Sequence, residues 1–181
     1  MLLEARPAFL GGLGRVGVDE VGDADLVISA VTAAEAVAAA RSVQSSLRHG
    51  ALYLDVNSVS PETRATTAAI IADAGGRYLE AAVMSAIEPR GSASPILLGG
   101  PDAEAALSLL VELGFSGATV CSAVLGRASA TKMCRSVLIK GLEALLAESL
   151  LAARHYRVER AVLDSLQGLL PLDDWPQRAG Y

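Results

Sequence analysis

Ser129, Lys132 and Ser136 stand at i−3, i and i+4 in a stretch without proline, so a helix through them sets two hydroxyls and one ammonium on a single face. An ammonium in a partly desolvated cleft can donate a hydrogen bond or a proton to a substrate oxygen, because burial lowers the lysine pKa toward the working range. The same spacing also suits a solvated stripe continuing through Lys140 and Glu143, since charged helix faces usually meet water. A second candidate is Asp55-Val56-Asn57-Ser58-Val59-Ser60-Pro61, where a strand gives way to a helix, the place where open α/β sheets bind ligands. Asn57 and Ser58 offer hydrogen-bonding groups there, or else shape the turn and cap the helix. The run Glu80 to Ala86 also ends a strand, which makes Met84 and Ser85 candidates for the same mouth. Cys134 is expected to pack in an apolar helix rather than act as a nucleophile, and His49 to serve the C-terminus of its helix. Two histidines and two cysteines without ligand-like spacing give no reason to expect a metal site.

These residues need elements to hold them, and from Asp25 onward the chain alternates strand and helix, the pattern of a mainly parallel sheet covered by helices. Leu26 to Val31 reads as a buried strand, and Thr32-Ala33-Ala34-Glu35 has capping-box spacing for a helix running to about Arg48 and stopping at Gly50. Ala51 to Asp55 is the next strand. Ser60 as N-cap and Pro61 at the first helical position start a helix that Gly75-Gly76 ends. Strands are predicted at Tyr78 to Val83, Pro95 to Leu98 and Ala118 to Ser122, with a helix from Pro101 to Leu113. Arg127 to Tyr156 contains no proline and one glycine, Gly141, which predicts one helix of roughly 45 Å at 1.5 Å per residue. A further helix is expected from about Val158 to Leu170.

Composition narrows the partners. The chain has 181 residues, is 52% hydrophobic and carries a net charge of −5 without a Lys/Arg cluster, which speaks against nucleic-acid or anionic-membrane surfaces and for a small-molecule or protein partner. Aromatic residues make up 4%, so Ala, Leu and Val must build the core. Neither a signal peptide nor a membrane span is expected, and the two cysteines suit a reduced, cytoplasmic setting.

Gly12-Leu13-Gly14-Arg15-Val16-Gly17 matches the GxGxxG dinucleotide fingerprint, but too few residues separate Gly17 from Asp25 for a helical crossover, so it reads as a glycine-rich connection. Other segments carry a family resemblance. Asp23 to Ser29, the element Asp55-Val56-Asn57-Ser58-Val59-Ser60-Pro61-Glu62-Thr63, and Gly126-Arg127-Ala128-Ser129-Ala130-Thr131-Lys132-Met133-Cys134-Arg135-Ser136 together resemble the β-hydroxyacid dehydrogenase superfamily, in its phosphogluconate-dehydrogenase-like subgroup. The resemblance runs from roughly Val18 to Trp175. It implies an incomplete Rossmann-like α/β domain over residues 1–122, then a long interdomain helix and a reduced all-α region over 123–181. It implies Lys132 as the catalytic residue, with Asn57, Ser58, Met84, Ser85, Ser129, Arg135 and Ser136 at the substrate site, and Val31 and Thr32 against any NAD(P). Ser136 stands where many members have Asn.

In this comparison the first βαβ unit, which holds the dinucleotide pyrophosphate in such enzymes, has no counterpart. The leading expectation is therefore a repurposed, biosynthetic enzyme that works without a nicotinamide, using Lys132 in an isomerisation or cyclisation. The alternatives are an NAD(P)-dependent oxidoreductase of the β-hydroxyacid dehydrogenase type and a non-catalytic binding or scaffold protein. The long helix is apolar around much of its circumference, through Met133, Val137, Leu138, Leu142, Leu145, Leu146 and Leu150, so a homodimer is expected.

Overall fold

The computed structural model describes residues 18–88 and 90–167. Five strands, β1 (Leu26–Ser29), β2 (Leu52–Asp55), β3 (Arg77–Val83), β4 (Ile96–Gly99) and β5 (Ala118–Ser122), form one sheet in that order. β1, β2 and β3 pair in parallel, β3 and β4 antiparallel, and β4 and β5 in parallel. Three helices accompany the strands: α1 (Ala36–Val43), α2 (Pro61–Asp73) and α3 (Ala103–Glu112). The long helix α4 (Arg127–Tyr156) follows, then α5 (Glu159–Gln167). The chain divides into two compact units between Met133 and Cys134.

Strand geometry sorts the core. Side chains alternate between faces along a strand, so Val27, Tyr53 and Tyr78 share one face with Ala40, Val43, Ile70 and Ile71 of α1 and α2, while Leu52, Leu54, Leu79 and Ala81 share the other with Ala103, Ala106 and Leu110 of α3. The parallel register sets Tyr53 beside Tyr78, and their rings stack with centroids 6.1 Å apart. Asp55 and Glu80 follow two residues later, on the same face and paired in the same register. Two carboxylates thus enter the interior from neighbouring strands, Asp55 at the end of β2 and Glu80 in the middle of β3.

Most predicted boundaries lie within two residues of the observed ones. Ser60 caps α2 through Thr63 N–H donating to its Oγ at 3.3 Å, with Pro61 in the first turn. The first helix differs. Thr32 makes no side-chain cap, Ala33–Glu35 is a 3-10 turn, and α1 ends at Val43 rather than near Arg48. The chain leaves the helix after Val43 and still buries Leu47 and Ala51 in the cluster around Val43, a demand that helical periodicity cannot reveal. His49 therefore lies beyond the end of α1 and meets the end of α2 instead. Its ring lies over Gly75, where a Cβ would come within 2.7 Å of it. Cys134, expected to be packed, is exposed, as is Cys121. Gly12–Gly17 and the tail from Pro171 lie outside the described residues.

Among the described residues, no helix is long and apolar enough to cross a membrane, and no group of three His, Cys, Asp or Glu side chains could hold a metal ion.

Candidate active site

A cavity of about 370 Å³ opens at the carboxyl ends of β1, β2 and β3, large enough for a small organic molecule or one end of a dinucleotide. Val31, Thr32, Asn57, Ser58, Ser85 and Lys132 line it, with Ala30, Ala33, Val56, Val83, Ala86 and Ile87 between them. Among the described residues, Lys132 is the one charged residue in that lining. It sits near the start of α4, and its Nζ donates to Ser58 Oγ at 2.7 Å across 74 positions of sequence. Burial, and secondarily the positive charge of Arg64, hold the Lys132 pKa below the usual lysine value.

Asn57 is 3% exposed and its polar atoms are used inside the protein. Its Oδ1 accepts from Val31 N–H at 2.6 Å, its Nδ2 donates to Ser29 Oγ at 2.9 Å, and its backbone N–H donates to Asp55 Oδ1 at 2.9 Å. Asn57 therefore ties the ends of β1 and β2 together and shapes the wall on which Ser58 is presented. Ser85 is exposed at the rim and donates to Ala86 O at 2.9 Å.

The remaining predicted site residues do not line this cavity. Met84 N–H donates to Pro95 O at 2.8 Å, closing the β3–β4 connection. Ser129 is 2% exposed, its N–H donates to Glu80 Oε1 and its Oγ to Gly126 O at 3.2 Å, so both groups serve the start of α4. Arg135 and Ser136 belong to the second unit, where Arg135 is exposed and Ser136 half-buried.

Sequence reasoning missed Arg64. It is 1% exposed, between Asp55 and Glu80, which are fully buried. Its Nη1 lies 2.9 Å from Asp55 Oδ1 and donates to Asp55 O at 2.6 Å, its Nη2 donates to the Asn57 carbonyl, and its Nε is 4.0 Å from Glu80 Oε1. Tyr78 completes the set by donating to Asp55 Oδ2 at 2.6 Å. Burial and the Asp55 charge push the Tyr78 pKa well above its usual value. The signal was available: LYLD ends an apolar strand run in an acid and YLEAAV sets one inside such a run, and a buried carboxylate requires a cation or N–H donors.

No protein-family model and no curated protein matches the chain, but solved structures do. A conserved hypothetical protein from Sinorhizobium meliloti 1021 is 39% identical with a TM-score of 0.73, covering 87% of this chain and 52% of that protein. A conserved protein of unknown function, described as structurally similar to 3-hydroxyacid dehydrogenases, is 33% identical with a TM-score of 0.72, covering 93% of this chain and 62% of that one. These matches support a β-hydroxyacid dehydrogenase-like family. The fold also matches an imine reductase from Myxococcus stipitatus in complex with NADP+, at 18% identity and a TM-score of 0.67, over 87% of this chain and 59% of that enzyme. The chain spans between 52% and 62% of the length of these proteins.

The NADP+ complex overturns the expectation that this β-hydroxyacid dehydrogenase-like chain has no cofactor. That expectation rested on residues before Asp25 and on treating this chain as the entire dinucleotide cradle. The fold is found with a nicotinamide dinucleotide in place, and the cyclase or isomerase chemistry built on its absence loses its support.

Proposed function

We propose that this chain functions as an NAD(P)-dependent oxidoreductase acting on a small 3-hydroxy acid, with Lys132 as the catalytic residue. One observation carries the reading: among the described residues, Lys132, hydrogen-bonded to Ser58, is the only charge in a lining otherwise made of small apolar side chains, hydroxyls and the buried Asn57. The residues present fit the nicotinamide end of the cofactor. Val31 and Thr32, at the end of β1, would hold it, since the Thr32 side chain is exposed and is not used as a helix cap. Hydride exchange at the substrate carbon is the chemistry that bound NAD(P) supplies.

The chain's own residues manage the proton. In oxidation, neutral Lys132 receives the hydroxyl proton; in reduction, its ammonium supplies that proton to the carbonyl oxygen. Ser58 Oγ orients Nζ, and Val56, Val83 and Ile87 limit water beside it. Because the folded-state pKa of Lys132 lies below the ordinary lysine value, the oxidation rate should rise with pH through that lowered pKa, and the reduction rate should fall through it.

Fluorescence titration with NADPH and NADH, followed by turnover of a panel of 3-hydroxy acids with NADP+ and NAD+, tests the reading. Lys132→Ala should lower kcat by about 10²- to 10⁴-fold without loss of the folded state. A variant retaining wild-type turnover would remove Lys132 from the mechanism. We also propose a homodimer built through the second unit, supported by exposures of 76% at Val137, 63% at Leu138 and 67% at Leu145. Light scattering should give twice the monomer mass, and a monodisperse species near 18.6 kDa would refute it.

A further inference from the structure

The long helix α4 begins without a cap of its own. Its first turn contains no acidic residue, and the residue before it, Gly126, has no side chain to offer. The first amides of a helix lack intrahelical partners and carry partial positive charge, and here they are met from another part of the chain. Glu80 Oε2 accepts from Gly126 N–H at 2.6 Å, and Glu80 Oε1 accepts from Ser129 N–H, across 46 and 49 positions of sequence. Glu80 is fully buried. The room for this arrangement comes from Gly99, its register partner on β4: a Cβ at Gly99 would stand 2.6 Å from Glu80 Oε2 and 3.3 Å from Ala128 Cβ. Gly126 holds φ +86°, a conformation that side chains resist, and so turns its N–H toward the carboxylate.

Lys132 lies on the helix that this carboxylate anchors. Its partner Ser58 is fixed from the other side, because Arg64, 4.0 Å from Glu80 Oε1, holds the carbonyls of Asp55 and Asn57 immediately before it. We propose that Glu80 is a positioning residue for Lys132: its buried carboxylate takes the N–H groups of Gly126 and Ser129 and thereby fixes the first turn of α4 where Lys132 reaches Ser58. The claim concerns where Lys132 sits; its consequence for turnover rests on the function proposed above.

Titration of the Lys132 Cε resonance in full-length protein labelled with ¹³C-lysine should place its midpoint below the ordinary lysine value. Glu80→Gln keeps the size of the side chain but turns one acceptor into a donor facing an N–H. In that variant the Lys132 midpoint should rise by about half a pH unit or more toward the ordinary lysine value, because the ammonium leaves its half-buried place. With the 3-hydroxy acid and dinucleotide pair that the wild type turns over, kcat should fall about tenfold while KM stays within about threefold, the pattern of a lost transition-state contact rather than lost binding. If Glu80→Gln fails to fold, Glu80→Asp, with both oxygens on a shorter stem, should shift the midpoint in the same direction by less. A folded variant of either kind with the wild-type Lys132 resonance and midpoint overturns the proposal, as does a wild-type Lys132 titrating at the ordinary lysine value. If Lys132→Ala keeps its activity, the catalytic role of Lys132 fails, while the resonance titration still decides the role of Glu80.

Discussion

Up to Met133 the chain buries even its charges: Arg64 is 1% exposed and Asp55 and Glu80 are fully enclosed. From Cys134 onward it leaves apolar side chains at the surface, with Leu138 at 63%, Leu145 at 67% and Leu151 at 61% exposure, and among the described residues its core cluster is Leu146 and Leu150 packed with Leu163 and Leu166. The difference follows from what each unit can enclose. A sheet covered by helices on both faces has an inside on each side, so it can shelter an ion pair provided every partner is present. Two helices alone enclose only the strip between them. The first unit therefore contains its own polar site, whereas the second presents a surface whose burial needs something beyond its two helices.

The comparison breaks most readily at Arg64. Arg64→Leu leaves Asp55 and Glu80 buried without their cation and should cost about 3–5 kcal/mol, measured by urea denaturation. A loss below 1 kcal/mol would mean that Tyr78, Asn57 and the α4 amides satisfy the two carboxylates unaided. Next in size is Leu150→Ala, which removes half of the small buried core of the second unit. A loss of about 2 kcal/mol is expected, and a separate, earlier transition in calorimetry would show the two units melting independently. The smallest effect on stability belongs to Leu145→Gln. At a site already 67% exposed, it should change the stability of the isolated chain by no more than about 0.5 kcal/mol, yet shift sedimentation toward the monomer. A loss of several kcal/mol with unchanged mass would place Leu145 inside the chain's own core.

Much of this was legible in advance. The absence of proline between Arg127 and Tyr156 predicted α4 at its observed bounds, and Ser60-Pro61 predicted the start of α2. Apolar runs bounded by glycine gave five strands in their correct places. Thr32 to Glu35 misled because a capping-box spacing records only that a hydroxyl and a carboxylate stand three apart, whereas the Thr32 side chain makes no cap. At the site, Lys132 and Ser58 were both named from separate motifs, but nothing local joined them. Arg64 went unnoticed because an arginine among threonines and alanines on a helix reads as a solvated position, and only the approach of β2 and β3 shows that it is enclosed.

The sequence by itself determined most of what is periodic and capped: where the strands and helices run, and that a lysine stands near the start of the long helix. These properties depend on neighbours within about four residues, and short-range spacing encodes them directly. The tertiary structure decided the rest. It set Lys132 against Ser58 across 74 positions, gave α4 a cap from Glu80 across 46 and 49, and turned two strand acids and one helical arginine into a buried cluster. Such contacts close long loops at an entropic cost that the packed sheet must repay as a whole. For that reason no short stretch of sequence carries their signature.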